Sequence, residues 1–406
     1  MKILHVCPLY YPVIGGVENV FKSVSEGMVR RGEDVTVFTT TGRSLDAFFK
    51  PAVKALPYGE EIINGVKIHR FPYRCISRLM ARTVSYGWSK LHLPKDDLLK
   101  TWSTLPWVSN LSKEIVKFNP DIVLAGHFRT RISVDACRAK KEAGFPLIFH
   151  TALHLDIETE LSELTIKHLK MGDALWVNTA FEKDALIKFG IDEAKILELG
   201  VGVNPSDFKD GNGERVRGRY GIGRNPVILF VGRKEKDKGV VTVIEAMESV
   251  WKKLPDAKLI LAGACNRQSE KRLLSEFAEK YNKSVISLDL IHDEDKKDFY
   301  DACDIFVMPS RVESFGIVYL EAWAAGKPVI GADIGSSRSV IAHEEDGYLV
   351  GFGDADALAK RIIFLLENPR VRHKMGGRGK EKVLKRYTWD YIVDRLLDSY
   401  RGLVRS

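Results

Sequence analysis

The stretch DIFVMPSRVESFGIVYLEAWAAGKPVIGAD, residues 304–333, contains the alternation that decides the fold. Short apolar runs at 304–310 and 327–333 predict two buried strands, and the segment between them predicts a helix that ends at Gly326. Two strands separated by a helix indicate a parallel βαβ unit, because a parallel pair needs a crossover connection. The carboxyl end of the first strand is then a place where α/β proteins bind ligands.

The same alternation extends along most of the chain in two series. Strand-like runs occupy 2–9, 34–40, 121–127, 146–154 and 173–179 in the first series, and 227–232, 257–263, 284–289, 304–310 and 327–333 in the second. Periodicity is lost between Phe208 and Pro226, which we interpret as a linker. We therefore expect an α/β protein with two doubly wound, Rossmann-like domains that face an interdomain cleft. The predicted domains are residues 1–207 and 208–385, followed by an amphipathic helix at 386–406.

Length and composition are those of a two-domain globular protein. The 406 residues exceed the usual size of a single core. Five scattered cysteines without paired spacing predict reduced thiols and a cytoplasmic location, rather than disulfides or a zinc site. The start of the chain predicts a strand and a loop rather than a signal peptide, because Pro8 and Pro12 interrupt it. No run is long enough to cross a bilayer.

The net charge of +8 favours acidic partners, such as nucleotides, anionic lipid surfaces or nucleic acid. Basic residues concentrate at 74–90 and 214–224, for which a solvated surface is the simpler interpretation. No nucleic-acid-binding signature accompanies them, so nucleic acid is not expected as a partner. The basic region 74–107, which holds three tryptophans, has three open interpretations: an acceptor wall, a contact with a membrane surface, or a helical insertion.

The helix of the opening stretch carries one charge, Glu321, within an otherwise apolar run. A buried, unpaired carboxylate is costly, so we expect Glu321 to have a partner, either a ligand or an Arg side chain. Ser314 is predicted to cap the helix, and Gly316 permits close approach of the backbone. The free amides of the helix start then form an anion site suited to a diphosphate, with Glu313 at its mouth.

Two further segments place chemical groups at predicted strand ends. VGRKEKDKG, residues 231–239, carries Arg233 and Lys238, which could neutralise phosphate charge, although an exposed charged turn is the simpler interpretation of this segment alone. Gly15 and Gly16 follow the first strand but lack the Rossmann glycine spacing and the Walker lysine, so NAD and ATP are weakly supported.

Histidines end two of the predicted strands, His127 one of them and His150 and His154 the other. No spacing of His, Asp or Glu resembles a metal site, so we expect no metal. The Asp-x-Asp at 354–356 is interpreted as acids at the start of a helix.

Taken together, these stretches resemble the retaining glycosyltransferases of the GT-B fold, specifically glycosyltransferase family four. The most specific match is PSRVESFGIVYLEAWAAGKPVI, at 309–330, which resembles the Glu-x7-Glu segment of that family. VGRKEKDKG resembles its Gly-Arg…Lys-Gly loop, the glycine pair its donor-facing loop, and EDGYLV at 345–350 its late Asp-Gly turn. The resemblance covers almost the whole chain.

The resemblance implies a nucleotide-sugar donor (UDP-, GDP- or ADP-linked) on the C-terminal domain and a sugar, glycan or lipid acceptor on the N-terminal one. It also implies that the last helix returns to the N-terminal domain. No cofactor is expected beside the nucleotide-sugar co-substrate, because no metal-ligand set is evident, and the basic region 74–107 leaves open a peripheral contact with the inner face of a membrane. Ser339 stands where the family usually has Glu. The implied catalytic residues are Arg233, Lys238, Glu313 and His154, with His150 as a competitor for the last role. The implied donor-binding residues are Gly15, Gly16, Ser314, Phe315, Gly316, Ile317, Val318 and Glu321, of which Glu321 would accept hydrogen bonds from the ribose hydroxyls.

Two other functions remain open at this point. A nucleotide-sugar epimerase of the same fold would use the same donor cleft without an acceptor, although the N-terminal half offers no convincing pair of acid and base carboxylates. A non-catalytic binder of nucleotide sugars or nucleic acid would account for the basic balance of the chain.

Overall fold

The computed structural model of the chain describes residues 1–13, 15–49, 55–74, 106–127, 130–155, 161, 163–265, 267–281 and 284–405. Within them, helices cover two parallel sheets, which confirms the predicted α/β architecture. Residues 75–105 lie outside the described part, so the interpretations of the region 74–107 are not tested.

The first sheet is built from the N-terminal half of the chain. Its elements are β1 Lys2–Val6, α1 Gly16–Arg30, β2 Asp34–Thr40, β3 Gly59–Ile63, β4 Val66–Phe71, α2 Leu111–Phe118, β5 Ile122–Ala125, α3 Arg131–Ala143, β6 Leu147–His150, α4 Glu163–Lys170, β7 Ala174–Val177, α5 Ala180–Lys188 and β8 Ile196–Glu198. These eight described strands have the order β3-β4-β2-β1-β5-β6-β7-β8, and only the β3–β4 pair is antiparallel among them. Alternate residues of β5 enter two separate cores, so both faces of this sheet are buried.

The second sheet is built from the C-terminal half. Its elements are α6 Gly213–Arg219, β9 Val227–Val231, α7 Val240–Lys253, β10 Lys258–Ala262, α8 Gln268–Lys280, β11 Val285–Leu288, α9 Asp293–Ala302, β12 Ile305–Met308, α10 Ile317–Ala324, β13 Val329–Ala332, α11 Gly335–Val340, β14 Gly347–Val350, α12 Ala355–Glu367, α13 Pro369–Arg386 and α14 Trp389–Arg405. Its six described strands are all parallel, in the order β11-β10-β9-β12-β13-β14.

The interpretation of 208–226 as a linker is wrong. This stretch contains α6, which packs on α9. Asp298 and Asp301 accept hydrogen bonds from the backbone amides of Asn212 and Gly213, at 2.7 and 2.8 Å. A Cβ on Gly213 would lie 2.7 Å from the amide nitrogen of Ala302, so the two helices touch through backbone. A helix of seven residues is too short to show its period in the sequence.

The last helix, α14, lies on α1 of the first sheet. Arg31 donates to Asp394 at 2.5 Å and to Asp390 at 3.1 Å, and a Cβ on Gly27 would lie 2.7 Å from the side chain of Val393. The chain reaches α14 beside Val203, in a bridge to Thr388. None of the described helices combines the length and the apolar character needed to cross a membrane.

Candidate active site

The strand order of the second sheet places a crevice between β9 and β12, where the direction of winding reverses. The loops that follow these two strands carry the two predicted donor motifs, and they meet. Lys238 of the first loop forms an ion pair with Glu313 of the second. The backbone amide of Arg311 donates to the carbonyl of Asp237 at 2.8 Å. Residues 75 positions apart in the chain thus share one site.

Gly239 permits this close approach of the two loops. Its φ of +81° is left-handed, and a Cβ there would lie 2.2 Å from the carbonyl oxygen of Pro309. The Lys238 and Glu313 side chains are consequently shielded, with exposed fractions of 15% and 9%. A pair this sheltered is stronger than a surface ion pair, but either partner left alone is costly.

Arg233 lies in the same loop and is 58% exposed. Its guanidinium donates to the buried Glu235 carboxylate at 2.8 Å, which turns the side chain along the loop. The structure therefore places Arg233 at the edge of the crevice and Lys238 inside it.

The start of α10 differs from the prediction. The cap of this helix is Gly316 with φ +90°, not Ser314, and no side chain caps the helix. The reason is steric, because a Cβ on Gly316 would lie 2.5 Å from the Tyr319 ring, so only glycine fits the turn. Ser314 and Phe315 precede the helix, and Phe315 is buried. The first-turn amides of a helix have no carbonyl partner within it, so those of Ile317 and Val318 are available to an anion.

Glu321 has partners within the protein, and they are a tyrosine and a lysine rather than the Arg side chain that was one of its two predicted partners. Its Oε2 accepts from the Tyr300 hydroxyl at 2.7 Å and its Oε1 from Lys296 Nζ at 3.2 Å. Burial raises the pKa of Tyr300 well above its ordinary value, so the hydroxyl keeps its proton and donates. Both partners come from α9, the helix that precedes β12.

His154 brings the first sheet to this site. It is exposed on the loop after β6, and its pKa is lowered by desolvation; Glu313 opposes this shift, whereas Lys238 and Arg233 add to it. These three groups belong to the second sheet, so the loop after β6 faces the crevice across the cleft. Because desolvation lowers its pKa below the ordinary value, His154 is mainly neutral at pH 7.

His150 has a different setting. It is 1% exposed, and its ring lies 4.4 Å from the Trp176 ring. Its Nε2 lies 3.0 Å from Oδ1 of Asn178, and burial lowers its pKa to about 4. Its Nδ1 has no hydrogen-bond partner among the described residues. His150 therefore lies behind the loop that carries His154.

Glu182 is a residue of this region that the sequence analysis missed. Its carboxylate accepts hydrogen bonds from the Thr151 hydroxyl at 2.6 Å and from the backbone amides of Leu153 and Asn178, each at 2.8 Å. Burial raises its pKa to about 7, although the three hydrogen bonds oppose this shift. Glu182 thereby fixes the loop after β6. Thr179, three residues earlier, caps α5, and this Thr-x-x-Glu pattern is a signal that the sequence contained.

Two family models match the chain. The model described as Glycosyltransferase Family 4 matches residues 14–207, and the one described as Glycosyl transferases group 1 matches residues 214–382. The chain belongs to glycosyltransferase family 4. Together the two models include the loops that form the crevice and the loop that carries His154.

This family 4 member has relatives along its whole length. It is 27% identical over 421 residues to the uncharacterized glycosyltransferase MJ1607 of Methanocaldococcus jannaschii, covering 99% of this chain and 98% of that one. It is 27% identical over 413 residues to the phosphatidyl-myo-inositol mannosyltransferase of Mycobacterium leprae, covering 100% and 98%. Its structure is similar to that of Anabaena Alr3699/HepE in complex with UDP, with TM-score 0.75, 18% identity and coverage of 99% and 100%. At this identity, the likeness shows the GT-B fold.

The predicted glycine pair of this family 4 member lies at the amino end of α1. A Cβ on Gly15 would lie 2.1 Å from the Glu18 carboxylate, which also lies 3.4 Å from His127 Nε2. A Cβ on Gly16 would meet nothing within 4 Å. Among the described residues, neither glycine forms a backbone hydrogen bond to the loops that follow β9 and β12. The two glycines therefore lie where β1 connects to α1, at the carboxyl end of a strand of the first sheet.

The two halves of this family 4 member also meet at α5 and α11. The Ser339 hydroxyl accepts a hydrogen bond from the Phe181 amide at 3.2 Å, and a Cβ on Gly335 would lie 2.4 Å from the Phe181 ring. Ser339 thus makes an interdomain contact. No group of three His, Cys, Asp or Glu side chains in the described part of the chain is arranged to hold a metal ion.

Proposed function

We propose that this protein transfers a sugar from a nucleoside-diphosphate sugar to an acceptor hydroxyl, with retention of the anomeric configuration. The observation that carries the proposal is the shielded Lys238–Glu313 pair at the crevice of the second sheet, with His154 of the first sheet facing it. Strand ends at a switch of winding are where α/β folds bind nucleotides.

Charge is the chemical difficulty of the reaction. Positive charge develops on the sugar ring while negative charge develops on the departing diphosphate. Lys238, Arg233 and the amides at the start of α10 supply donors for the second of these charges. Each such donor contributes about 10²–10³ to the rate when it is aimed at developing charge.

Glu321 keeps a role in the proposal although it has partners in the protein. A carboxylate offers about four acceptor positions, and Tyr300 and Lys296 occupy two of them. The remaining positions suit the two hydroxyls of a ribose, with the protein partners holding the carboxylate in place. Tyr300 and Lys296 are then positioning residues for nucleotide binding.

Retention follows in the proposal from attack on the same face as the departing phosphate, which takes the acceptor proton. Glu313 is held by Lys238, and this favours contact with a hydroxyl of the donor sugar over a role as nucleophile. Neutral His154 can donate to or accept from the sugar at the same place.

The acceptor enters from the first sheet in this proposal. One relative is named for a phosphatidyl-myo-inositol acceptor, so we include lipids with a sugar-like head group beside sugars and glycans. The donor nucleotide is UDP, GDP or ADP; the similar Anabaena structure is a complex with UDP. A cytoplasmic site, with peripheral contact at the inner face of a membrane, fits this acceptor class.

A thermal-shift screen against UDP-, GDP- and ADP-sugars tests the proposal. A ligand at a hundred times its Kd stabilises the folded state by about 2.7 kcal/mol. The donor that does so should then release nucleoside diphosphate only when an acceptor is present, and NMR of the product should show the donor's anomeric configuration. Turnover of the donor without acceptor would indicate an epimerase, and no stabilisation by any nucleotide sugar would overturn the proposal.

A further inference from the structure

One helix, α13, has a net positive charge almost as large as that of the whole chain. The sequence of α13, PRVRHKMGGRGKEKVLKR, contains eight Lys and Arg residues and one acid, Glu381, so its net charge is +7. The whole chain has a net charge of +8. The other 388 residues are therefore close to neutral. Such an asymmetry indicates a surface that meets a negatively charged partner.

Two of these eight cations serve the fold. Arg372 lies 3.0 Å from Asp304, and Lys382 pairs with the buried Asp346. Both reach inward from the face of α13 that packs on the rest of the domain. Because these two cations are already paired with carboxylates of the protein, they contribute little to binding at the surface.

The remaining six cations are exposed, and none of them has an ion pair among the described residues. They are Arg370, Lys374, Arg378, Lys380, Lys385 and Arg386. Four of them, Arg370, Lys374, Arg378 and Lys385, lie within about 80° of each other around the helix axis, because a helix turns about 100° per residue. We call the side of α13 that carries these four residues the basic face. Exposed aliphatic side chains accompany it, since Val371 is 37% and Leu384 54% exposed.

The helix that carries the basic face, α13, packs tightly against α10. A Cβ on Gly376 would lie 2.0 Å from the carbonyl oxygen of Gly326, and one on Gly379 would lie 2.0 Å from the Trp323 ring. Glycine at these two positions lets α13 lie directly on α10, whose amino end is part of the candidate active site. A partner that binds the basic face is therefore held in a fixed position relative to the C-terminal domain.

We propose that the basic face of α13 binds the anionic surface of a lipid bilayer. Unpaired cations and exposed aliphatic side chains together on one helix are the composition of interfacial helices. The described α13 carries no Phe, Tyr or Trp side chain for stacking on bases, and His373 is its one aromatic ring, which favours lipid over single-stranded nucleic acid. The inference rests on the proposed function in one respect, because binding of α13 to the bilayer would bring the donor-binding domain to the surface where a lipid acceptor lies.

The test measures binding of the full-length protein to vesicles of phosphatidylglycerol mixed with phosphatidylcholine, by co-sedimentation. The variant Lys374→Gln/Arg378→Gln/Lys385→Gln removes three cations of the basic face. Each Lys or Arg near an anionic surface adds roughly fivefold to the partition coefficient, so we expect a loss of roughly 100-fold. Binding should also fall as salt is raised, and it should be absent on pure phosphatidylcholine.

A matched control removes the same charge elsewhere. Lys113, Lys117 and Lys141 are exposed on α2 and α3, and their change to Gln should weaken vesicle binding by less than about threefold. Equal weakening by both triple variants would show an effect of net charge alone and overturn the proposal, as would a wild-type protein that does not bind anionic vesicles. Binding of a labelled RNA that only the α13 variant loses would assign the face to nucleic acid instead.

The same samples separate this inference from the proposed function. Thermal shift by the nucleotide sugar reports on the donor site, which neither triple variant touches. An unchanged shift together with lost vesicle binding supports both proposals. An absent shift in every protein refutes the proposed function and leaves the vesicle result to stand by itself.

Discussion

Removal of Lys238 should reduce both stability and activity, and a second change should separate the two effects. In Lys238→Met, Glu313 keeps its charge but loses its partner while 9% of its side chain is exposed. Breaking a buried pair costs about 3–5 kcal/mol. We expect about 3 kcal/mol, the lower end of that range, because 15% of the Lys238 side chain reaches solvent.

The double variant Lys238→Met/Glu313→Gln removes both charges and should recover most of this loss. Urea unfolding measures the recovery as a shift of the midpoint at constant slope. The control is Lys236→Met, an exposed lysine of the same turn, which should change stability by less than about 0.5 kcal/mol.

Activity should not recover with stability. If Lys238 stabilises the departing diphosphate, kcat/KM falls by about 10²–10³ in Lys238→Met and at least as much in the double variant. The assay is release of nucleoside diphosphate in the presence of acceptor. A double variant that is as stable as the wild type and within tenfold of its activity would show that the pair is only structural, and would refute the reasoning.

Three further changes test the framework of the site. Gly239→Ala should cost at least about 2 kcal/mol in urea unfolding because its Cβ would meet the neighbouring loop, whereas Gly218→Ala, in open space on α6, should be neutral or stabilising. The His150 pKa is lowered to about 4, so between pH 6.5 and pH 4 the unfolded wild type binds a proton that the folded state does not. The wild type should therefore lose about 3 kcal/mol of unfolding free energy over this range, and His150→Asn should not lose this amount, as measured by urea unfolding at the two pH values. Glu182→Ala should lower kcat but change nucleotide affinity less than twofold, because it frees the loop of His154 and leaves the donor loops intact; equal losses of kcat and nucleotide affinity would contradict this.

The fold was predictable from the sequence because its strands are short apolar runs buried on both faces. The sequence analysis missed four strands, of which β4 and β14 are short but largely buried, whereas β3 and β8 lack this property. In β3 the central residues Glu60, Glu61 and Ile62 are exposed, and β8 has only three residues, none of them buried. Edge strands of this kind carry a weak hydrophobic signal, so neighbouring strands decide their conformation rather than their own composition.

The site was predictable only in part, for a related reason. Lys238, Glu313 and His154 could each be found at the end of a predicted strand, where parallel strands deliver their loops to one edge. The partners of Glu321 could not, because Tyr300 and Lys296 lie on a different helix and only packing brings them near. The cap of α10 was mistaken because Ser314 has the preferred chemistry, whereas the observed turn requires the left-handed conformation of Gly316.

The most direct test of the account is a crystal structure of the protein with the nucleoside diphosphate that the thermal-shift screen selects. The account predicts diphosphate oxygens at hydrogen-bond distance, about 2.7–3.2 Å, from Lys238 Nζ and from the amides at the start of α10. It also predicts ribose hydroxyls on Glu321, with Tyr300 and Lys296 still in contact with that carboxylate. A diphosphate bound elsewhere, with Lys238 still paired only to Glu313, would contradict it.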